Sequence, residues 1–131
     1  MNDNNTQIAD VIDLAVENLE HCPWGQSSGR AADQKICAED AIWMAVRWGR
    51  VLTAKEYWTT PSDALEGSED LESHVANLRL ADVVTSRVRR SLGLSTSSLW
   101  QWNDAWGRTK QEVIDAFKAT AKDLRNEASP T

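Results

Sequence analysis

The segment CAEDAIWMAVRWG, Cys37–Gly49, predicts the helix on which the rest of the chain packs. Its apolar side chains recur at helical spacing and surround most of the axis, with Cys37, Ala41, Met44, Ala45 and Trp48 on one face and Ile42, Trp43 and Val46 beside it. A helix that is apolar on nearly every side needs neighbours on several sides, so we expect it to be central. Gly49 marks the predicted end, because glycine adopts the left-handed backbone of helix ends at little cost.

Three longer helical patterns surround this segment. Apolar positions at helical spacing predict helices over about Gln7–Glu20, Glu69–Leu92 and Lys110–Asn126. The predicted buried stripe of the middle one is Leu71, Val75, Leu78, Ala81, Val88 and Leu92. The helix-start pattern Thr-x-x-Glu occurs at Thr53 and at Thr109. The sequence shows no strand-like alternation and no internal repeat, so the predicted fold class is all-α, a compact bundle of four main helices plus short helical turns.

The length of 131 residues places these helices in one domain. We assign residues 7–125 to that domain. Residues 1–6 and 126–131 are polar and lack periodicity, so we predict that both ends are disordered. The sequence contains no apolar run of membrane-spanning length, no secretory signal and no lipidation motif, and we therefore expect no membrane contact and a cytoplasmic location.

The charge balance and the residue spacing argue against several function classes. Lys and Arg total 14 against 20 Asp and Glu, a net charge of −6, which disfavours a nucleic-acid partner. The soft metal ligands, namely His21, Cys22, Cys37 and His74, lack the paired short spacings of a zinc site. No hydrolase, phosphate-loop or metalloprotease motif occurs, so we predict no catalytic residue, metal or cofactor. A cytoplasmic location favours reduced thiols for the two cysteines, but the sequence does not decide between two thiols and a single disulfide.

Tryptophan is the unusual residue of this chain, with seven Trp against one Phe and one Tyr. Trp24 lies in the long connection Cys22–Ile36, where we expect it to be pinned against another part of the protein. Trp100, Trp102 and Trp106 follow each other within a short segment. One interpretation is an aromatic platform for a partner, since tryptophan is enriched at binding hot spots. The other is a lid that seals one end of the bundle, since tryptophan is usually largely buried.

Two further sets of polar residues are candidates for a site. Asn103 and Asp104 either cap the neighbouring turn or supply polar groups to an aromatic-walled pocket, and local capping is the interpretation we favour. Arg79, Arg87 and Arg90, with Arg89 beside them, form a stripe that suits an anion or a carboxylate-rich partner. The simpler interpretation of that stripe is a solvated face paired with acidic neighbours such as Glu72 or Asp82.

Several short motifs resemble those of a family of small uncharacterised proteins from actinobacteria and their phages. They are Trp24-Gly25-Gln26, Cys37-Ala38-Glu39-Asp40-Ala41, Trp102-Asn103-Asp104 and Thr109-Lys110-Gln111-Glu112-Val113. The likeness covers most of Val11–Ala121 and departs from the family pattern at Ser27 and at Glu39-Asp40. It carries no activity over to this chain. It implies that the loop, the Cys37 helix and the Trp-Asn-Asp segment form one spatial unit, with Trp24 and Trp102 closing over the Cys37 end of the central helix.

These observations predict a non-enzymatic protein-binding module, whose partner is a host protein if the chain is phage-encoded. The predicted binding residues are Trp24, Gln26, Trp100, Trp102, Asn103, Asp104 and Trp106. The first alternative is a small-molecule-binding or enzymatic domain, with a pocket formed by Trp24, Gln26, Cys37, Trp102, Asn103 and Asp104. The second alternative is a regulator that contacts DNA, and self-association also stays open.

Overall fold

The computed structural model describes residues 3–26, 30–59, 71–95 and 97–128, without the side chains of Asp3, Ala31 and Ala128. Within these ranges the chain forms the helices α1 (Asp3–His21), α2 (Arg30–Asp33), α3 (Ala38–Trp48), α4 (Ala54–Thr59), α5 (Leu71–Ser91), α6 (Leu99–Asn103) and α7 (Lys110–Ala128). The described residues contain no strand, and an isolated bridge pairs Trp24 with Ile36. The all-α prediction is confirmed, and α1, α3, α5 and α7 are the four main helices.

Helices α1 and α3 supply much of a single core. Helix α1 packs along α7 and against α3, while α5 packs against α3 and α7. Ile12 and Leu19 of α1, Met44 of α3 and Phe117 and Leu124 of α7 are fully buried there. Each such side chain contributes roughly 1.5–3 kcal/mol by leaving water. The long helices keep polar faces, and none in the described part of the chain is long and apolar enough to cross a membrane.

The ends of the outer helices extend further than predicted. Helix α1 begins at Asp3 rather than Gln7, so residues 3–6 are helical instead of disordered. Asn5 is buried, and its side-chain Nδ2 donates to Glu127 Oε1 over 3.3 Å. That contact joins the first turn of α1 to the last turns of α7, which itself continues to Ala128. The first turn of α1 and the last turns of α7 therefore stabilise each other. The polar sequences of the two ends do not reveal this contact. Residues 1–2 and 129–131 lie outside the described ranges.

The buried face of α5 differs from the predicted stripe. Val84 and Val88, one helical turn apart, are fully buried, and only Val88 belongs to the prediction. Leu71 and Leu78 are 77% and 49% exposed, so their assignment to the core is wrong. Seven residues make almost two full helical turns, so these two leucines share a side of α5 that is open to solvent. The predicted helix start at Glu69 lies outside the described residues.

Capping boxes fix the starts of four helices. At both predicted positions the Thr backbone N–H donates to the Glu Oε1 over 2.9 Å, and the Glu N–H donates back to the Thr Oγ1. Two more boxes, missed in the sequence, join Cys37 with Asp40 and Ser98 with Gln101. Gly49 ends α3 with a φ of 65°, as predicted.

Candidate functional site

The candidate site centres on α6, a short helix held between the loop after α1 and the start of α3. Leu99 is fully buried under it and anchors it to the core. Ser98 caps its start, and its last residue, Asn103, is also fully buried. A buried amide must find hydrogen-bond partners for both of its ends. The partners of Asn103 therefore determine how this part of the bundle is assembled.

All four hydrogen-bonding positions of the Asn103 side chain are used. Its Oδ1 accepts from Trp24 Nε1 at 2.8 Å and from the Ala38 backbone N–H at 2.9 Å. Its Nδ2 donates to the Gly25 carbonyl at 3.2 Å and to Asp104 Oδ1 at 3.1 Å. The Ala38 N–H is one of the donors at the start of α3 that has no partner within the helix. Asn103 thus caps a distant helix, and our preferred interpretation of local capping is wrong for this residue.

Gln26 adds a second connection between the loop and α6. Its Nε2 donates to the carbonyl oxygens of Asn103 and Ala105, each at 2.9 Å. The loop itself is closed by two backbone bonds, from Gly25 N–H to the Ile36 carbonyl and from Ile36 N–H to the Pro23 carbonyl. Gly25 is required by this close approach, because a Cβ there would lie 2.8 Å from the Cβ of Lys35. The structure therefore brings the loop, the start of α3 and the Trp-Asn-Asp segment into one unit.

The three clustered tryptophans divide between core and solvent. Trp102 is partly buried against the core, and the Arg108 guanidinium carbon lies 4.1 Å from its ring centroid. Arg108 also donates Nε to the Trp102 carbonyl over 3.1 Å. Trp100 is 49% exposed and Trp106 is 100% exposed. The lid interpretation thus describes Trp102, together with Trp24, whereas Trp100 and Trp106 present their rings to solvent.

A charged network underlies this unit at the start of α3. Asp40 is buried; its Oδ2 accepts from Arg30 Nε at 2.8 Å and from the Cys37 N–H at 2.9 Å. Its Oδ1 accepts from the Tyr57 hydroxyl at 2.9 Å. Desolvation, and then the negative charge of Asp40, raise the pKa of Tyr57. On the neighbouring Glu39, burial raises the pKa, and a hydrogen bond from the Trp100 backbone opposes that shift.

Both cysteines are free thiols enclosed by the core. Cys22 and Cys37 are both buried and free, so the disulfide left open by the sequence is not formed. Burial, followed by the charge of Asp40, raises the pKa of the Cys37 thiol to about 12. A thiol of that pKa is protonated at neutral pH and is a poor nucleophile. In the described part of the chain no three His, Cys, Asp or Glu side chains converge as a metal site.

The arginines of the stripe differ in their contacts. Arg87 donates Nη2 to Glu127 of α7, and Arg89 donates Nε to the Ser97 carbonyl. These partners lie on other segments and are not the acidic residues of α5 that the simpler interpretation named. Arg79 and Arg90 are exposed. The four guanidinium groups therefore have different surroundings, and Arg79 and Arg87 border one cleft.

Comparison with known proteins assigns the chain to a family. The model of DUF6197, a family of unknown function, matches residues 3–123. The chain belongs to this family. The matched part of the DUF6197 chain includes every residue of the Asn103 and Asp40 networks described above. No curated protein and no solved structure is detectably similar to it. Membership in DUF6197 brings no activity with it, so the function has to be argued from the geometry of the site.

Two parts of this DUF6197 site escaped the sequence analysis. Cys37 and Asp40 have the spacing of a capping box, but a thiol is an uncommon cap, so the pattern was not recognised. The contacts of Asp40 with Arg30 and Tyr57 join distant positions and have no local sequence pattern. The stacking of Arg108 on Trp102 also has no local signature. Six positions separate them, which is not a helical neighbour spacing, and the turn between them is irregular.

Proposed function

We propose that the protein is a non-enzymatic binding module whose protein partner docks on Trp100 and Trp106. The observation that carries this proposal is the full exposure of Trp106 and the half exposure of Trp100, which flank the fully buried Asn103 in the sequence. An exposed indole keeps a large apolar surface in water, which costs free energy in the unbound protein. Tryptophan is also the side chain most enriched at the energetic centres of interfaces.

The hydrogen bonds that hold α6 in place favour a binding role for the two exposed tryptophans. Gln26 holds the carbonyl oxygens of Asn103 and Ala105, while Asn103 fastens α6 to the loop and to α3. Beyond α6, the Arg108 N–H donates to the Ala105 carbonyl over 3.0 Å. A partner that contacts Trp100 and Trp106 would therefore meet a backbone that is already held in place, so that only the two side chains remain to be ordered on binding.

The same contacts weigh against the two alternatives. A small-molecule pocket among Trp24, Gln26 and Asn103 would need free polar groups, but the Asn103 amide already has four partners inside the protein. A DNA-contacting regulator would need a basic surface, and the chain carries a net charge of −6. Arg87 and Arg89 are also held by Glu127 and Ser97.

The source and location of the protein are part of the proposal. The motif resemblance to small proteins of actinobacteria and their phages supports a phage-encoded chain that acts on a host protein in the host cytoplasm. A small acidic bundle with two exposed tryptophans is suited to occupying a surface of another protein, because tryptophan is enriched at the energetic centres of interfaces.

Affinity capture from an actinobacterial lysate tests the proposal. The wild type is compared with the double variant Trp100→Ala/Trp106→Ala and with Leu71→Ala/Leu78→Ala, a control that removes two exposed apolar side chains from α5. We expect one protein to be retained by the wild type and the control and to be lost from the tryptophan variant. Retention of the same proteins by all three, with both variants folded by circular dichroism, would contradict the proposal.

A further inference from the structure

A second site is suggested by a cleft between the first turns of α1 and the middle of α5. Its volume is about 330 Å³, which falls at the lower end of the range for small-molecule sites. Ile8, Leu80 and Val83 give it an apolar part, Asn4 and Gln7 add neutral polar groups, and Arg79 and Arg87 add two guanidinium groups. None of these residues belongs to the α6 unit, so the cleft is independent of the proposed function.

The two arginines of the cleft have different electrostatic roles. Arg87 donates Nη2 to both carboxylate oxygens of Glu127, at 3.2 and 3.0 Å, and this pairing balances its charge. Arg79 is exposed, and among the described residues no carboxylate lies within ion-pair distance of it. Among the described side chains, Arg79 is therefore a cation of the cleft without an ion-pair partner, next to an apolar lining that is itself partly open, since Val83 is 46% exposed.

We propose that this cleft binds a small monocarboxylate that carries an apolar chain. The carboxylate would pair with Arg79, because a guanidinium group and a carboxylate match in geometry and in charge. The apolar chain would lie on Ile8, Leu80 and Val83 and remove their exposed surface from water. In the described part of the chain, Arg79 is one cation without an ion-pair partner, and it matches the single negative charge of a carboxylate. A phosphate dianion would need a second such cation.

Isothermal titration with octanoate tests the site, with octanamide and inorganic phosphate as comparison ligands. Octanamide keeps the chain and removes the charge, whereas phosphate keeps negative charge and removes the chain. The protein variants are Arg79→Gln and the matched control Arg90→Gln, which removes an exposed arginine of the same helix outside the cleft. Because both side chains are exposed, both variants are expected to fold.

We expect octanoate to bind the wild type and Arg90→Gln with the same affinity. Loss of a charge-assisted hydrogen bond predicts weaker binding to Arg79→Gln by about ten-fold or more, and a similar loss for octanamide with the wild type. The proposal is overturned if octanoate gives no heat of binding up to about 10 mM, well above a millimolar Kd. Equal effects of the two arginine variants, or phosphate binding as tight as that of octanoate, would overturn it as well.

Discussion

Trp24 donates its indole N–H to Oδ1 of Asn103 over 2.8 Å, and 79 sequence positions separate the two residues. The same oxygen accepts the Ala38 N–H at the start of α3. One amide oxygen thereby links the loop after α1 and the central helix to α6. The bond also orients Trp24, whose ring packs partly against the core.

Replacement of Asn103 by alanine is expected to be strongly destabilising. The variant leaves Trp24 Nε1 and the Ala38 N–H without their acceptor, and each buried unpaired donor costs about 1–3 kcal/mol. We therefore expect the free energy of unfolding to fall by about 2–6 kcal/mol in urea titrations. Asn126→Ala, at an exposed position of α7, is the matched control and should change little. A loss below about 1 kcal/mol for Asn103→Ala would contradict this account of the amide.

Trp102 and Trp106 are expected to differ in how much stability the protein loses when each is replaced by alanine. Trp102→Ala removes a ring that packs on the core and under Arg108, and we expect a cost of about 2–4 kcal/mol. Trp106→Ala removes a fully exposed ring and should stay within about 0.5 kcal/mol of the wild type. Thermal unfolding followed by circular dichroism distinguishes the two. Similar melting temperatures for both variants would show that the two rings are equally buried or equally exposed.

Both thiols should resist modification in the folded protein. Cys22 and Cys37 are 1% exposed, and burial raises the pKa of each thiol, that of Cys37 to about 12. Since the thiolate is the reactive form, we expect a thiol reagent at slightly alkaline pH to react slowly with the native chain. The same reagent should modify two thiols per chain in guanidinium chloride, which serves as the internal control. Rapid native labelling of Cys37 would show that its shielding by α3 and Asp40 is incomplete.

Glu39 should make stability depend on pH in a defined direction. Burial raises its pKa above the ordinary 4.5, so the folded protein holds this proton more tightly than the unfolded chain does. The free energy of unfolding must then fall as pH rises from the ordinary pKa through the raised one. Glu39→Gln removes the charge and keeps an oxygen that can accept from the Trp100 backbone.

The measurement compares urea unfolding of the wild type and Glu39→Gln at pH 4.5 and at neutral pH, with Glu20→Gln on the exposed side of α1 as control. We expect the advantage of Glu39→Gln over the wild type to grow with pH, while the control follows the wild type. A difference that does not change with pH would mean that Glu39 ionises equally easily in the folded and unfolded chains.

The fold could be predicted from local patterns where one helix face dominates. The apolar segment that became α3, its glycine end and the two Thr-x-x-Glu starts depend on neighbours within a few residues, which a sequence displays directly. The face of α5 could not be found this way. Apolar residues occur on more than one side of that helix, and only its packing against α3 and α7 selects Val84 and Val88 over Leu71 and Leu78.

The candidate site was predictable as a set of residues and not as a set of contacts. Sequence positions alone do not tell how close two side chains lie in the fold. Only the family resemblance suggested that the loop of Trp24 and Gln26 meets the segment of Trp102 and Asn103. Local capping was the favoured interpretation of Asn103 because short side chains usually bond nearby backbone. Complete burial changed that outcome, since an enclosed amide takes whichever donors the tertiary fold presents.

The long separations spanned by the Asn103 amide have a kinetic consequence. Its bonds to Ala38, Gly25 and Trp24 join positions 65, 78 and 79 residues apart, so they form only after large chain loops have closed. Contacts of this kind assemble late in folding, after the local helical turns. If Trp100 and Trp106 form the docking surface that we propose, a chain that lacks these long-range bonds would not hold α6 in the position that presents the two rings.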